Sequence, residues 1–341
     1  MSLKKPYLLF LGDAQDEPYA KTAFGVRDWA RADVVGQFRL PECKIDLGLP
    51  DISIKAAKAA GARSLLIGVA PVGGQITSRW MPYLKAAAEA GLDIVSGLHQ
   101  RLNDAPELVA CASASGVVLH DVRQPKQSYP IATGRKRTGM RLLTVGVDCA
   151  LGKKYAALAI TAALKERAKK ATFRATGQTG IMIAGDGVPL DAVIADFAAG
   201  AAEWLSPDNE PDHWDVIEGQ GSLFHPAYAG VSLALLHGSQ PDAFVLCLDP
   251  LRKTMTGFDA YPIVDAATAI ARHALEGALT NPRIQCAGLS VNTSRLNDID
   301  AHAYKHALGR EFGRPVFDPI KDGAGAFVDA LIARFATERA S

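Results

Sequence analysis

The stretch LLTVGVDCALGKKYAALAI, residues 142 to 160, decides how the second half of this chain is read. An apolar run ends at Gly146, a short loop leads to Gly152 and Lys153, and an Ala-rich amphipathic segment follows. A buried strand, a glycine-bounded loop and a helix together form the arrangement in which backbone N–H groups surround phosphate oxygens. Gly146, Asp148, Gly152, Lys153 and Lys154 are therefore the expected phosphate-binding residues. Two features set the loop apart from GxxxxGK[ST]. Gly152 follows Gly146 by six positions, one more than usual, and the position after Lys153 is a second lysine where a nucleotide hydrolase carries a magnesium-holding hydroxyl. An ammonium cannot ligate Mg²⁺, so the usual route to phosphoryl transfer loses its electrophile. A ligand whose phosphates serve only as a handle needs no such metal, and two adjacent lysines at a helix N-terminus suit the phosphates of coenzyme A.

Strand-like apolar runs alternate with helix-like segments on both sides of this loop, the mark of parallel sheets with covering helices. In the first half the runs are residues 7–12, 32–38, 64–70, 92–98 and 116–122; in the second they are 142–148, 171–177, 214–220, 243–249, 285–293 and 315–320. Asp51 is an expected helix cap and Gly61 an expected helix stop. The basic stretch 123–141 carries Pro and Gly without an apolar period and reads as a crossover. At 341 residues the chain is expected to form two α/β domains, a parallel sheet over 1–128 and a second parallel sheet, built around the phosphate loop, over 129–341.

Lys and Arg (37) nearly balance Asp and Glu (36), which argues against nucleic acid or an anionic membrane as a partner. The apolar run at the N-terminus is too short for a secretory signal, and no stretch reaches the roughly 18 residues of a membrane span, so a cytoplasmic location is expected. Five well-separated cysteines fit neither a disulfide framework nor a zinc site, and no metal is expected; Cys149 lies inside the loop.

Ligands of open α/β sheets bind beyond the carboxyl ends of strands. There the sequence DVIEGQGSLFHP, residues 215 to 226, places Glu218 and His225 as candidate proton acceptors, and Gln220 and Ser222 as substrate contacts. Just past another expected strand, Arg174 is a candidate carboxylate clamp and Gln178 a further substrate contact. The cluster Arg135, Lys136 and Arg137 enters the strand that feeds the loop, either as a solvated linker or as a ligand-facing patch.

The loop GVDCALGK resembles that of dethiobiotin synthetase, which makes an ATP- and magnesium-dependent ligase or kinase the alternative reading. A wider resemblance runs through GDAQDEPYAKTAFGVRDW, IGVAPVGG, SGLHQRL, TGRKRTGMRLLTVGVDCALGKKYAAL, FRATGQTGIMIAG and DVIEGQGSLFHPAYAGVSLALLHGSQPDA. In order and over nearly the whole chain, these segments resemble the D-glutamate N-acetyltransferase family, formerly a domain-of-unknown-function family with a Rossmann-like N-terminal and a P-loop C-terminal domain, in which the GKK form of the loop occurs. The resemblance implies acetyl transfer from acetyl-CoA to the amino group of D-glutamate in D-amino acid catabolism. It also implies a functional partner, an enolase-superfamily N-acetylglutamate epimerase. A homo-oligomer is expected for a sheet with exposed helices.

Overall fold

The computed structural model describes residues 2–340. The chain forms two compact units: one holds the chain up to Lys126 together with Gly177–Ala192, and the other holds Gln127–Thr176 and the chain from Val193 onward.

In the first unit β1 (Tyr7–Gly12), β2 (Val34–Arg39), β3 (Ser64–Ile67), β4 (Asp93–Ser96) and β5 (Leu119–Asp121) form a parallel sheet in the order β2-β1-β3-β4-β5. Strands β1, β3 and β4 are buried along their whole length, which is why they read as unbroken apolar runs. Helices α1 (Lys21–Trp29), α2 (Ile54–Ala59), α3 (Met81–Glu89) and α4 (Pro106–Ser115) cover the sheet. The cap of α2 is Ser53, whose hydroxyl accepts from Ala56 N, and the expected cap Asp51 instead pairs with Arg39. Gly61, at φ +91°, ends that helical stretch as expected. Beyond the end of β1 the indole of Trp80 fills the space beside Gly12, where an added Cβ would lie 2.6 Å from Trp80 Nε1.

The second unit opens with β6 (Met140–Gly146), α5 (Lys153–Glu166) and β7 (Ala171–Arg174). The next helix, α6 (Gln178–Ala184), belongs to the first unit: Tyr7 Oη donates to Met182 O at 3.0 Å and Lys5 Nζ to Ile183 O at 2.7 Å. A division into 1–128 and 129–341 does not express this return. The second unit continues with α7 (Ala195–Leu205), β8 (Trp214–Ile217), α8 (Ala229–Ser239), β9 (Ala243–Leu248), β10 (Thr254–Met255), β11 (Phe258–Pro262), α9 (Ala266–Ala278), β12 (Gln285–Val291), α10 (Asp298–Phe312), β13 (Val316–Phe317) and α11 (Gly325–Ala340). Its six-stranded sheet has the order β13-β12-β9-β6-β8-β7 and every pairing is parallel. After β6 the chain builds one side of this sheet and then crosses to the other, so the topological switch lies between β6 and β9, the place where such sheets bind ligands. All eleven expected strands are present; the antiparallel pair β10–β11 is an addition.

Arg135, Lys136 and Arg137 precede β6 and so lie at the amino end of the sheet, away from the phosphate loop. They pair there with Asp208, Asp242 and Glu203. The cluster ties the unit together and does not face the loop. No helix among the described residues is long and apolar enough to cross a membrane.

Candidate functional site

Strand β6 delivers the loop Val147–Gly152 to the N-terminus of α5. Ala150 (φ +54°) and Gly152 (φ +97°) both take left-handed backbone. Lys153, only 6% exposed, runs its stem between two glycines at the strand ends. A Cβ on Gly146 would lie 3.3 Å from Lys153 Nζ, and one on Gly219 would lie 3.1 Å from Lys153 Cδ. The Lys153 ammonium donates to Asp148 O at 2.7 Å, and burial holds its pKa below the ordinary lysine range. Lys154 is half-buried, with its Nζ 4.7 Å from the centre of the Tyr155 ring. The loop, the helix N-terminus and the buried Lys153 thus form a positively biased cradle at the switch point.

Asp148 organises the neighbouring segment. Its Oδ2 accepts from Arg252 Nη1 at 2.6 Å, Thr256 N at 3.0 Å and Thr256 Oγ1 at 2.9 Å, which pins the turn of the β10–β11 hairpin onto the phosphate loop. Its Oδ1 is buried without a hydrogen-bond partner, and His225 Nε2 lies 3.9 Å away. His225 Nδ1 accepts from Ala227 N at 3.1 Å. That bond leaves the ring proton on Nε2, directed at Thr256 O at 3.5 Å and at Asp148. With its ring buried and Nδ1 engaged, His225 is built to hold the loop and hairpin together. Asp148 Oδ1, Cys149 Sγ and His225 Nε2 lie within 4.8 Å of one another, the one such metal-sized group among the described residues. A histidine protonated on Nε2 offers no lone pair there.

Glu218 closes β8. Its Oε2 accepts from Thr176 N at 2.9 Å while Thr176 Oγ1 donates to Glu218 O at 2.7 Å, so the ends of β7 and β8 fix the carboxylate. Gly219 N donates to Thr144 Oγ1 at 3.0 Å, and a Cβ on Gly219 would stand 1.7 Å from Thr144 O; only glycine fits. Ser232 Oγ donates to Gln220 O at 2.6 Å, and Ser222 Oγ accepts from Phe224 N at 3.2 Å, shaping the turn that carries Gln220 and Ser222 beside the loop.

Two expected contacts have other neighbours. Arg174 Nε is engaged by the buried Asp215 at 2.7 Å, a pairing that links β7 to β8 and takes that nitrogen from any carboxylate clamp. Gln178 opens α6 in the first unit, where a Cβ on Gly97 would lie 3.1 Å from its Cβ. Sequence reading missed Arg252, Thr256 and the hairpin. The signal was the dipeptide Thr256–Gly257, with Gly257 at φ +80°, set between short β-type segments.

Comparison with known proteins agrees with this architecture. Residues 130–328 match the DUF1611_C P-loop domain of unknown function, and residues 39–125 match the DUF1611_N Rossmann-like domain. The chain is 52% identical to a D-glutamate N-acetyltransferase of Tritonibacter scottomollicae over 337 residues, covering 97% of this chain and 99% of the relative. It is 45% identical to a D-glutamate N-acetyltransferase of a Pseudoalteromonas species over 335 residues, covering 98% and 99%. The crystal structure of a DUF1611 family protein from Anabaena variabilis superposes with a TM-score of 0.85 at 31% identity, covering 97% of this chain and 100% of that one. With both domain models matched in order and relatives aligned end to end, the chain belongs to the DUF1611 family, whose members join a Rossmann-like N-terminal domain to a P-loop C-terminal domain.

Proposed function

We propose that this protein is a cytoplasmic N-acetyltransferase that moves the acetyl group of acetyl-CoA to the amino group of D-glutamate. The observation that carries the reading is the end-to-end identity, 52% and 45%, with two proteins named for that reaction. The loop chemistry supports it: a cradle with two lysines and no hydroxyl after Lys153 suits phosphates held as a handle better than phosphates to be cleaved.

In this reading Gly146, Gly152, Lys153, Lys154 and the first turn of α5 hold the coenzyme phosphates, and Asp148 fixes the loop that presents them. Glu218 accepts a proton from the substrate ammonium and frees the nitrogen lone pair. The nitrogen then attacks the thioester carbonyl, the C–N bond forms, the C–S bond breaks, and the thiolate leaves to take a proton. The backbone N–H groups of Gln220, Gly221 and Ser222, beyond the Gly219 N–H that Thr144 takes, stabilise the oxyanion, and Gln220 and Ser222 contact the amino acid. The N-acetylated product is the substrate of an enolase-superfamily N-acetylglutamate epimerase in D-glutamate breakdown.

The test mixes purified protein with acetyl-CoA and D-glutamate, L-glutamate or D-glutamine, with and without ATP and magnesium, following thiol and phosphate release together. Thiol release that requires D-glutamate and ignores ATP is the expected result. Magnesium-dependent phosphate release without thiol overturns the reading in favour of a ligase or kinase.

A further inference from the structure

The surface beside the phosphate loop is aromatic. Tyr228 stacks on the buried ring of His225, with centroids 4.6 Å apart and planes at 26°. Phe258 meets the same ring edge-on at 5.0 Å, and Tyr261 stands edge-on to Phe258 at 6.0 Å. Exposure rises along the series, from His225 at 1% to Tyr261 at 48% and Tyr228 at 52%. Both ends of the series are tied to the cradle. Asp148 binds Thr256 in the turn of the hairpin that carries Phe258 and Tyr261, and Gly221 lies so close to Tyr228 O that a Cβ would come within 2.4 Å of it. Two half-exposed tyrosines are therefore held at a fixed place relative to a phosphate site by the same buried carboxylate and histidine that shape the site. An aromatic ledge beside a phosphate-binding loop suits a planar heteroaromatic ring, because any base offers a π-face to stack on.

We propose that Tyr228 and Tyr261 form the stacking ledge for the nucleobase of the acyl donor, a nucleotide-bearing thioester; this rests on the reading of the phosphate loop as the coenzyme site. In a transfer reaction the base takes no part in chemistry, so the ledge contributes binding and donor selectivity through the hairpin that Asp148 pins.

The test compares two donors, acetyl-CoA and acetyl-phosphopantetheine, which keeps the thioester and one phosphate but lacks the base. Tyr228→Leu and Tyr261→Ala should each lower the preference for acetyl-CoA over the truncated donor, measured as the ratio of kcat/KM values, by about tenfold. Calorimetric binding of coenzyme A alone should weaken by a similar factor, and phenylalanine at either position should keep the wild-type ratio. Equal losses with both donors would mean that the tyrosines act only by supporting His225 and the hairpin, and would overturn the proposal, as would an unchanged ratio. Lys153→Ala separates the two readings. A lower kcat/KM with both donors supports the loop as coenzyme site. No change there, with the tyrosine variants still discriminating, removes the loop from that role and leaves the ledge standing.

Discussion

Asp148 and Arg252 form an ion pair at 2.6 Å in which the carboxylate is fully buried and the guanidinium keeps 22% of its side chain exposed. The asymmetry sets the cost of breaking it from either side. Arg252→Ala leaves a buried negative charge held only by Thr256, and removing one partner of a buried pair costs about 3–5 kcal/mol. Asp148→Asn removes the charge and leaves an arginine that turns to water, so about 1–2 kcal/mol is expected. The double variant should recover part of the Arg252→Ala loss, and chemical denaturation of the three variants measures this coupling. Additive losses would mean that the hairpin is not held through this pair.

Lys153 links ligand binding to pH. Burial places its folded pKa below the ordinary value of about 10.4, so the unfolded chain binds the extra proton. Above about 10.4 the lysine is neutral in both states and has no effect; as pH falls from there towards the folded value, stability is progressively lost. At neutral pH Lys153→Met should raise the Tm of the unliganded protein, by roughly 2–4 °C for each kcal/mol relieved. A phosphorylated ligand that pairs with the ammonium restores its pKa. On the alkaline side coenzyme binding should therefore take up protons, and calorimetry in buffers of different ionisation enthalpy detects this. Proton-neutral binding across that range would place the phosphates away from Lys153.

What the sequence disclosed, and what it hid, follows from how local each signal is. The strands of both sheets were legible because strands buried on both faces read as unbroken apolar runs, as in Tyr7–Gly12 and Ala243–Leu248. The phosphate loop was legible because its glycines and lysines are adjacent in the chain. Partnerships between distant residues left no such trace. Nothing near Asp148 announces Arg252 or Thr256, which lie about a hundred positions away and reach it only once β6 and β9 pair. Arg174 and Asp215 are hidden in the same way: each looks like an unassigned charge until β7 and β8 align them. The return of α6 to the first unit depends on Lys5 and Tyr7 donating to carbonyls some 175 positions on, which hydrophobic periodicity does not encode.

Two glycines close to the site predict opposite outcomes for one substitution. Gly219→Ala drives a methyl to within 1.7 Å of Thr144 O, and because the obstacle is backbone no rotamer relieves it. The end of β8 must shift, at a cost of about 3 kcal/mol or more, and Glu218 moves with it, so activity should fall with stability. Gly230, in the first turn of α8, meets nothing within 4 Å, and alanine there should be neutral or stabilising by up to about 0.5 kcal/mol with activity kept. Thermal unfolding and turnover of the two variants check both signs. A well-folded, active Gly219→Ala protein would show that the backbone beyond β8 can move away from Thr144 O at little cost.

The cysteines offer a chemical probe of the loop. Burial pushes the Cys247 thiol up to about 12 and the Cys286 thiol up to about 11, so neither should react with iodoacetamide near neutral pH while the protein is folded. Cys149 sits in the loop itself, half-buried, and burial also raises its pKa despite the nearby Lys153. It should therefore alkylate slowly, faster as pH rises, and more slowly still with saturating coenzyme A, because a ligand on the loop amides covers the thiol. Peptide mapping of the alkylated protein with and without coenzyme reads all three sites in one experiment. Rapid labelling of Cys149 near neutral pH that coenzyme does not slow would mean a loop open to solvent and unused by the donor, and would send the search for the phosphate site elsewhere in the fold.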